Sequence, residues 1–571
     1  MKLMNLSPLC IEKCLELVQM LFVKKQKKLG IPILKLGKTG MYQLGLGRFC
    51  KIIDATICED TSALGVDISC NKILTKEILK LHMLPVPKGA IIKNHDELIK
   101  AYYSLKETYR NIILEEYIKG NDYRVCLVDG RVVAASLRLP PFIIGDGKRT
   151  IMELIEELNM DPRRGEGHEK SLSKVIIDNI LISCIEEKSY NLNSTLPSGE
   201  KLFLRKNANL STGGVSIDCT DEISSENLEI CQRAAKAIGL NICEIDICCK
   251  DISKSIKDDG AIIEINAAPG IRMHHFPFEG ESRNVAKAIV KSMFRNRPKT
   301  IPIVSITGTN GKTTVARLIA HVLTQAGHKV GLTTSSGIFI DGKCIEKGDT
   351  TGPKSALAVL HNRDIDAAVL ETARGGILRD GIAYDLADIG IITNITSDHV
   401  GVDGVKNIEK LAFIKALVGE SIKKDGYAVM NADDNEIIKI TKIKDIAIGL
   451  NGLLTYNIEN AMAAASAMIG LGIDNSFIAN GLSTFKNNDT FNPGRFNMYR
   501  INNRILILDY GHNIGDYKAV IKEAKAIQDN SLIGIIGVPG DRLDSDIVNI
   551  GKFSGDNFDY LYIKEDMRKR G

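Results

Sequence analysis

The stretch IPIVSITGTNGKTTVARLIAHVLTQAG, residues 301–327, decides the fold of the second half of this chain. IPIVSIT (301–307) is a continuous apolar run of strand length, and ARLIAHVLTQAG (316–327) has the spacing of an amphipathic helix closed by glycine. Between them stands Gly308-Thr309-Asn310-Gly311-Lys312-Thr313-Thr314. A buried strand, a glycine-bearing turn and a helix start, in that order, make an anion site. The glycines let backbone N–H groups turn onto phosphate oxygens, and the helix N-terminus adds its partial positive charge. Lys312 can neutralise the β- and γ-phosphates of a nucleotide, and the hydroxyl of Thr313 or Thr314 can hold Mg²⁺. The loop departs from the general G-x-x-x-x-G-K-[ST] pattern, because Ile306 stands where that pattern has its first glycine.

Reading onward, strand-like runs alternate with helical ones. AAVLETA (367–373) and IGIITNIT (389–396) read as strands covered on both faces. Such alternation predicts a parallel sheet wrapped by helices. Glu371 closes the first of these strands, and Asp398-His399 follow the second. Open α/β sheets gather their ligands at the carboxyl ends of strands. There Glu371 and His399, with Thr313, are candidate ligands of Mg²⁺ or supports for them. From about residue 455 the chain changes character. TYNIENAMAAASAMIGLG is alanine-rich and helical, and ILILDYG (505–511) and LIGIIGV (532–538) read as strands of a smaller α/β domain.

Reading backward, the polar, proline-bearing RNRPKT (295–300) marks a division. The first half has another pattern. ILTKEILKLHML (73–84) is a helix stopped by Pro85, and YRVCLVDGRVVAAS (123–136) is a hairpin turning at Asp129-Gly130. GAIIEINAAPG (260–270) is a strand running into a loop. Hairpins mixed with helices predict an α+β domain.

The bulk numbers fit this division and exclude other classes. A chain of 571 residues needs two to four cores at roughly 150 residues each. Its 74 Lys and Arg against 70 Asp and Glu leave a net charge of +4, so the bulk charge calls for neither nucleic acid nor an anionic membrane. The basic run KKQKK (24–28) reads as a solvated helix face. Thirteen cysteines, an odd number without a CxxC pair or a His at zinc-ligand spacing, argue against a secreted disulfide framework. Cys10 with Cys14, and Cys248 with Cys249, read as buried apolar thiols. The apolar stretch Leu15–Val23 is interrupted by Glu16, is too short to span a bilayer and lacks the plan of a signal peptide. A cytoplasmic protein is expected.

The short GTNGKTT loop is similar to that of Mur ligases and folylpolyglutamate synthetases. DTTGPKSA (349–356), ETARGGILRDGIAYD (371–385) and NITSDHVGVDGV (394–405) resemble the cyanophycin synthetase version of it. So do TSALGVDISCNK (61–72), DPRRGEGHEKSLSKV (161–175), NANLSTGGVSID (207–218) and GAIIEINAAPGIRMH (260–274) in the first half. The likeness spans nearly the whole chain. It implies a multidomain α/β and α+β protein in four parts. Residues 1–70 would be a remnant of an N-terminal domain and 71–295 an ATP-grasp domain. Residues 300–450 would be a shortened P-loop Mur-ligase central domain, and 451–571 a truncated, Rossmann-like Mur-ligase C-terminal domain.

The resemblance also implies function. Cyanophycin is a polyaspartate backbone with arginine on each side-chain carboxylate. In the family an ATP-grasp half adds L-aspartate to the backbone and a Mur half adds L-arginine, each through an acyl phosphate. ATP, Mg²⁺, both amino acids and a polyaspartate or cyanophycin chain are the implied partners, in a homo-oligomer. In the Mur half the resemblance adds Lys415, where Mur-type ligases carry a lysine that can be carbamylated to hold a second metal. It adds Asn457, Asn460, Arg495, Asp509 and His512 toward the nucleotide and incoming amino acid. In the grasp half it assigns Asp246, Glu264 and Asn266 to Mg²⁺, and Glu115 and Glu116 to the linker at adenine. Arg124, Arg205 and Asn209 would face nucleotide or acyl phosphate, and His168 is a polar candidate.

There are departures. After PVPKGAII (85–92) the family has a strand with an ATP-binding lysine and then a glycine-rich loop, whereas this chain passes to NHDELIKAYYSLKE, read as a helix. A second gap lies between NADDNEIIKITK (431–442) and TYNIENA (455–461), and the family continues beyond KEDMRKRG. Three functions therefore compete: an arginine-adding ligase working through the Mur half, a non-catalytic nucleotide- or polymer-binding paralogue, and a Mur-type ligase for another amino acid and acceptor.

Overall fold

The computed structural model describes residues 30–91, 113–166, 169–295, 300–397, 400, 403–437, 456–485, 488–502, 504–527, 531–538 and 544–564. Outside these residues lie Cys10, Cys14, Leu15–Val23, the run 24–28, the expected helix NHDELIKAYYSLKE, His168, the Asp398-His399 pair and the last seven residues. The chain divides into two compact units. One is Met1–Leu44 with Lys51–Pro298, the other Gly45–Cys50 with Lys299–Gly571.

The first unit begins with four short antiparallel strands, Ile33–Lys35, Met41–Leu44, Lys51–Asp54 and Ile57–Cys58, which the sequence pattern did not single out. Two helices follow, Ala63–Cys70 and Lys72–Leu81, started by the side chains of Ser62 and Asn71, which accept backbone N–H bonds. The main sheet has five antiparallel strands in the order Val215–Asp218, Arg131–Leu139, Asn121–Val128, Ile242–Cys249, Ala261–Asn266. Its hairpin turns at Asp129 (φ 49°) and Gly130 (φ 68°), the paired positive φ of a type I′ turn. Strand alternation then separates two faces. Val125, Leu127, Ile245 and Ile247 enter the apolar core on one side. Arg124, Cys126, Glu244 and Asp246 have the opposite parity. A satellite layer pairs Phe142–Ile144 with Lys201–Phe203 over helix Ile151–Met160, around a core of its own that includes Ile151, Leu181, Leu196 and Leu204.

The second unit is built on a seven-stranded sheet in the order Lys343–Lys347, Gly337–Ile340, Val330–Thr334, Ala367–Glu371, Ile303–Thr307, Ala387–Ile392, Ile422–Met430. The last five are parallel, as the alternating pattern predicts. The first two are antiparallel additions, so the sheet is mixed, not parallel throughout. The reason is local. Asp341 (φ 47°) and Gly342 (φ 77°) make a two-residue turn, and a turn that short joins only antiparallel neighbours.

Helices cover both faces. Lys312–Gln325 and Tyr456–Gly470 bury Val315, Ile319, Val322, Ala464 and Met468 on one side. Ile408–Glu420 buries Leu411, Ala412 and Val418 on the other. Beyond them the strands form two pairs, Asn497–Ile501 antiparallel to Arg504–Leu508 and Ile533–Ile536 parallel to Tyr560–Ile563. Helices Ile514–Ile527 and Asp544–Asn557 accompany them. Among the described residues no helix is long and apolar enough to cross a membrane.

Candidate active site

Strand Ile303–Thr307 runs near the middle of the mixed sheet, with Ala367–Glu371 and Ala387–Ile392 as its two neighbours. The chain leaves it through Gly308 and enters helix Lys312–Gln325 at Gly311. Both glycines are required. Gly308 has φ +149° and Gly311 φ +80°, and a Cβ on them would run into Thr393 Oγ1 and Asn460 Oδ1, respectively. The loop rests on the segment after the neighbouring strand. Thr309 N donates to Asn394 O at 2.8 Å, Asn310 N to Asn394 Oδ1 at 2.8 Å, and Thr393 Oγ1 donates to Asn310 O at 2.6 Å. IGIITNIT was expected to be strand to its end, but the strand stops at Ile392 so that Thr393 and Asn394 can hold the loop.

The expected residues of this half converge, with exceptions. Thr313 Oγ1 donates to Glu371 Oε2 at 2.9 Å. Glu371 is only 3% exposed, and burial raises its pKa. Lys312, the Thr313 and Ser335 hydrogen bonds and Arg495 oppose that rise. Lys312 Nζ donates to Thr309 O at 2.8 Å. Lys415 is buried, and its Nζ donates to Thr309 Oγ1 at 2.9 Å. Asn460 is buried against Gly311, with its Nδ2 unbonded among the described residues. Residues Thr309–Thr314, Arg495 and His512 line one pocket. Asp509 stays behind them. Its Oδ2 accepts from Phe496 N at 2.8 Å, and burial raises its pKa. His512 is held from its other side, its Nδ1 3.3 Å from Asp516. His399 lies outside the described residues, as does the Asn457 side chain.

Other polar groups at this site were not read from the sequence. Ser335 N donates to Glu371 Oε2 at 3.1 Å, and its Oγ lies 3.2 Å from Thr313 Oγ1. Asn513 Nδ2 donates to Asn310 Oδ1 at 2.9 Å, and Asn492 Nδ2 to Thr314 Oγ1 at 3.3 Å. Half-buried Arg317 donates to Phe491 O and Ser336 Oγ. Ser335 was not within reach of sequence reasoning, because only the pairing of strand Val330–Thr334 with Ala367–Glu371 brings it here. Thr313, Ser335 and Glu371 together are hard oxygen donors beside a helix N-terminus. That donor set suits Mg²⁺, and the open loop suits phosphate.

The first unit gathers a second polar group on one face of its sheet. Register places Arg124, Asp246 and Glu264 in one rung, and Cys126, Glu244 and Asn266 in the next. Arg124 grips Asp246 with two bonds of 2.7 and 2.8 Å, and Arg138 adds a third at 3.1 Å. Burial works against the Arg124 charge, but Asp246 and Glu244 outweigh it and hold its pKa above the ordinary value. Glu264 lies 3.6 Å from Lys72, and Asn266 Nδ2 is buried without a hydrogen-bond partner among the described residues. The set fits an oxygen-seeking cation, although a metal at Asp246 would compete with two arginines.

Four of the remaining expected residues stand outside that rung. Arg205 is buried and spans Ile176 O and Asp178, instead of facing an open site. Asn209 is exposed and starts a short 3₁₀ turn. Glu116 is exposed and donates its backbone N–H to Lys88 O. Glu115 closes its strand, paired with Lys76.

A strand, a short glycine loop and a helix, with a carboxylate at the end of the adjacent strand, define a nucleotide-binding domain of the phosphate-loop type. The family model described as Mur ligase middle domain matches residues 306–460. The chain is 38% identical over 635 residues to the cyanophycin synthetase of Trichormus variabilis, covering 96% of this chain and 70% of that protein. It is 37% identical over 629 residues to that of Synechocystis sp., with 95% and 72% covered. A glutathione biosynthesis bifunctional protein of Clostridium perfringens is 32% identical over 262 residues, 39% of this chain and 34% of that protein. The chain belongs to the cyanophycin synthetase family and is by that membership an acid–amino-acid ligase, an enzyme that forms C–N bonds. The first alignment runs over 635 positions against a chain of 571 residues, so that relative carries stretches which this chain lacks.

Proposed function

We propose that this protein is an ATP-dependent amide ligase that builds cyanophycin. The second unit activates an aspartate side-chain carboxylate of the polymer as an acyl phosphate, with release of ADP. The α-amino group of L-arginine then displaces phosphate to form the amide. Loop 308–314 cradles the phosphates, and Lys312 offsets their charge. Thr313, Glu371, Ser335 and His399 are the ligands of Mg²⁺, and Lys415 supports the loop through Thr309. Arg495 and His512 face the incoming substrate, while Asp509 positions the Arg495 segment. Positioning and charge neutralisation supply most of such catalysis, because phosphoryl transfer leaves little covalent chemistry for the protein. The observation that carries this reading is the Thr313–Glu371 bond at the start of the loop helix.

The first unit adds L-aspartate to the backbone by the same chemistry, on an ATP-grasp fold, with Glu264 and Asn266 as its metal donors beside Asp246. One observation favours a weaker role for it. Strands Gly89–Ile91 and Ile113–Glu115 are paired, and the 21 residues between them contain no glycine. A loop that must bring backbone N–H groups onto phosphates needs glycine. In that second reading the arginine-adding half works alone on a primer made elsewhere.

The test is binding of ATP with Mg²⁺ to wild type and Lys312→Ala, followed by arginine incorporation into a polyaspartate primer. A thermal shift that shrinks in the variant, together with arginine-dependent phosphate release, is expected. No shift in either protein would overturn the ligase reading. Turnover with another amino acid but not arginine would replace the substrate assignment.

A further inference from the structure

Next to the arginine-clamped rung of the first unit lies a cluster of different chemistry. Cys126 stands directly across from Glu244 on the neighbouring strand, and His274 comes over them from the short helix Arg272–His275. One donor atom from each of the three lies within 4.8 Å of the other two. The residues are 0%, 0% and 1% exposed.

Hydrogen bonding leaves the cluster incomplete. Glu244 Oε2 is used, accepting from Gly270 N at 3.0 Å with Arg124 Nη1 at 3.3 Å. Glu244 Oε1 and His274 Nε2 are both buried, and among the described residues each has only the other as a polar partner. They stand 3.3 Å apart. A charge-assisted N–H···O bond would bring them to about 2.8 Å. Two ligands of one tetrahedral cation, each bound at about 2.05 Å, are separated by about 3.3 Å. The opposite ring nitrogen, His274 Nδ1, is 2.9 Å from Ser136 Oγ. That contact orients the ring and can fix the tautomer whose Nε2 lone pair faces the cluster, as supporting groups do for metal-bound imidazoles.

We propose that Cys126, Glu244 and His274 hold one divalent cation of the zinc class, which ties helix Arg272–His275 to the sheet beside Asp246. Thiolate and imidazole select a borderline-soft ion over Mg²⁺. On binding, the Cys126 S–H bond breaks, the thiolate ligates the metal and the proton passes to solvent. No electron is transferred. Thiolate and carboxylate together cancel the two positive charges, so the buried site carries no net charge of its own. The site is distinct from Asp246, Glu264 and Asn266 and does not depend on how the chain acts on its substrates.

The experiment is metal analysis of the full chain after zinc loading and gel filtration in dilute chelator, with Co²⁺ substitution as a second readout. About one equivalent of zinc per chain is expected, and a thiolate-to-cobalt charge-transfer band in the Co²⁺ form. Cys126→Ala and His274→Ala should lose the zinc, and Cys126→Ala also the band. Cys126→Val serves in place of Cys126→Ala if the smaller side chain unfolds the core, with circular dichroism reporting the fold. Cys344→Ser, which removes an exposed thiol of the second unit, should keep both signals. Trace metal in the wild type would overturn the proposal. So would zinc that survives in folded Cys126→Val, or that disappears in Cys344→Ser.

Discussion

Thr313 Oγ1 donates a 2.9 Å hydrogen bond to Glu371 Oε2, and the same oxygen accepts Ser335 N at 3.1 Å. Three segments that meet only through the sheet order are thus joined at one carboxylate oxygen. Glu371→Gln preserves the shape but removes the charge that a cation needs. It should lower Mg²⁺-dependent ATP turnover by about 10²–10³-fold, the range for losing one preorganised electrostatic group. Thr313→Val should fall similarly, and Thr313→Ser should stay near wild type. Steady-state phosphate release reads all three, and wild-type turnover in Thr313→Val would refute the arrangement.

The buried position of Glu371 has a pH signature. Burial raises its pKa above 4.5, so between that value and the folded-state pKa the native chain holds a proton that the unfolded chain has lost. The stability linked to this group is therefore present at lower pH and is lost as pH rises through the window. A cation needs the ionised form, so Mg²⁺ affinity should rise with pH over the same range. Calorimetric titration of Mg²⁺ in two buffers of different ionisation enthalpy should detect proton release in the wild type. In Glu371→Gln the release should vanish.

Gly311 combines a left-handed backbone with a close neighbour, and the two effects can be separated. Gly311→Ala meets both a φ of +80° and the amide of Asn460. Strain of about 1–3 kcal/mol from the backbone alone is expected. The double variant Gly311→Ala/Asn460→Ala removes the collision but not the backbone cost. The prediction is loss of nucleotide binding in the single variant and partial recovery in the double, read by thermal shift with ATP. Equal loss in both would place the whole effect in φ.

Much of the second unit was legible because its signals are local. IPIVSIT, the two loop glycines and the alternation around AAVLE each lie within one short window, and each stands in the structure as strand, turn or helix start. The alanine-rich run also formed the helix it suggested, Tyr456–Gly470. What could not be read depends on distance in sequence. Ser335 reaches Glu371 only because strand Val330–Thr334 pairs with Ala367–Glu371. Asn513 reaches Asn310 across 203 positions. In the first unit the family resemblance assigned Arg205 toward phosphate, yet an acidic residue 27 positions earlier, Asp178, claims its guanidinium. Residue type gives the chemistry a side chain can do, and long-range pairing decides whether it is free to do it. Cys126, Glu244 and His274 follow the same rule. No motif spacing links them, and only the sheet register and the chain's return at Arg272–His275 bring them together.

Asp246 offers a separate test of the first unit, because both of its oxygens are already engaged. Arg124 binds it through Nε at 2.7 Å and Nη2 at 2.8 Å, and Arg138 through Nη2 at 3.1 Å. The three side chains are 9%, 19% and 11% exposed, so solvent screens them little. Asp246→Asn leaves two guanidinium groups around a neutral amide. Breaking a buried pair in this way costs about 3–5 kcal/mol, and the charge left without a counterion is chiefly that of Arg138, because Arg124 keeps Glu244 at 3.3 Å. Arg138→Met should cost less, since the twofold Arg124 grip still satisfies the carboxylate. The expected order in urea is therefore wild type, then Arg138→Met, then Asp246→Asn, in the transition that reports the first unit. If Asp246→Asn unfolds with the wild-type midpoint, the clamp contributes nothing to stability. Asp246 would then be retained for what it binds, and Mg²⁺ affinity of the same variant would be the quantity to measure.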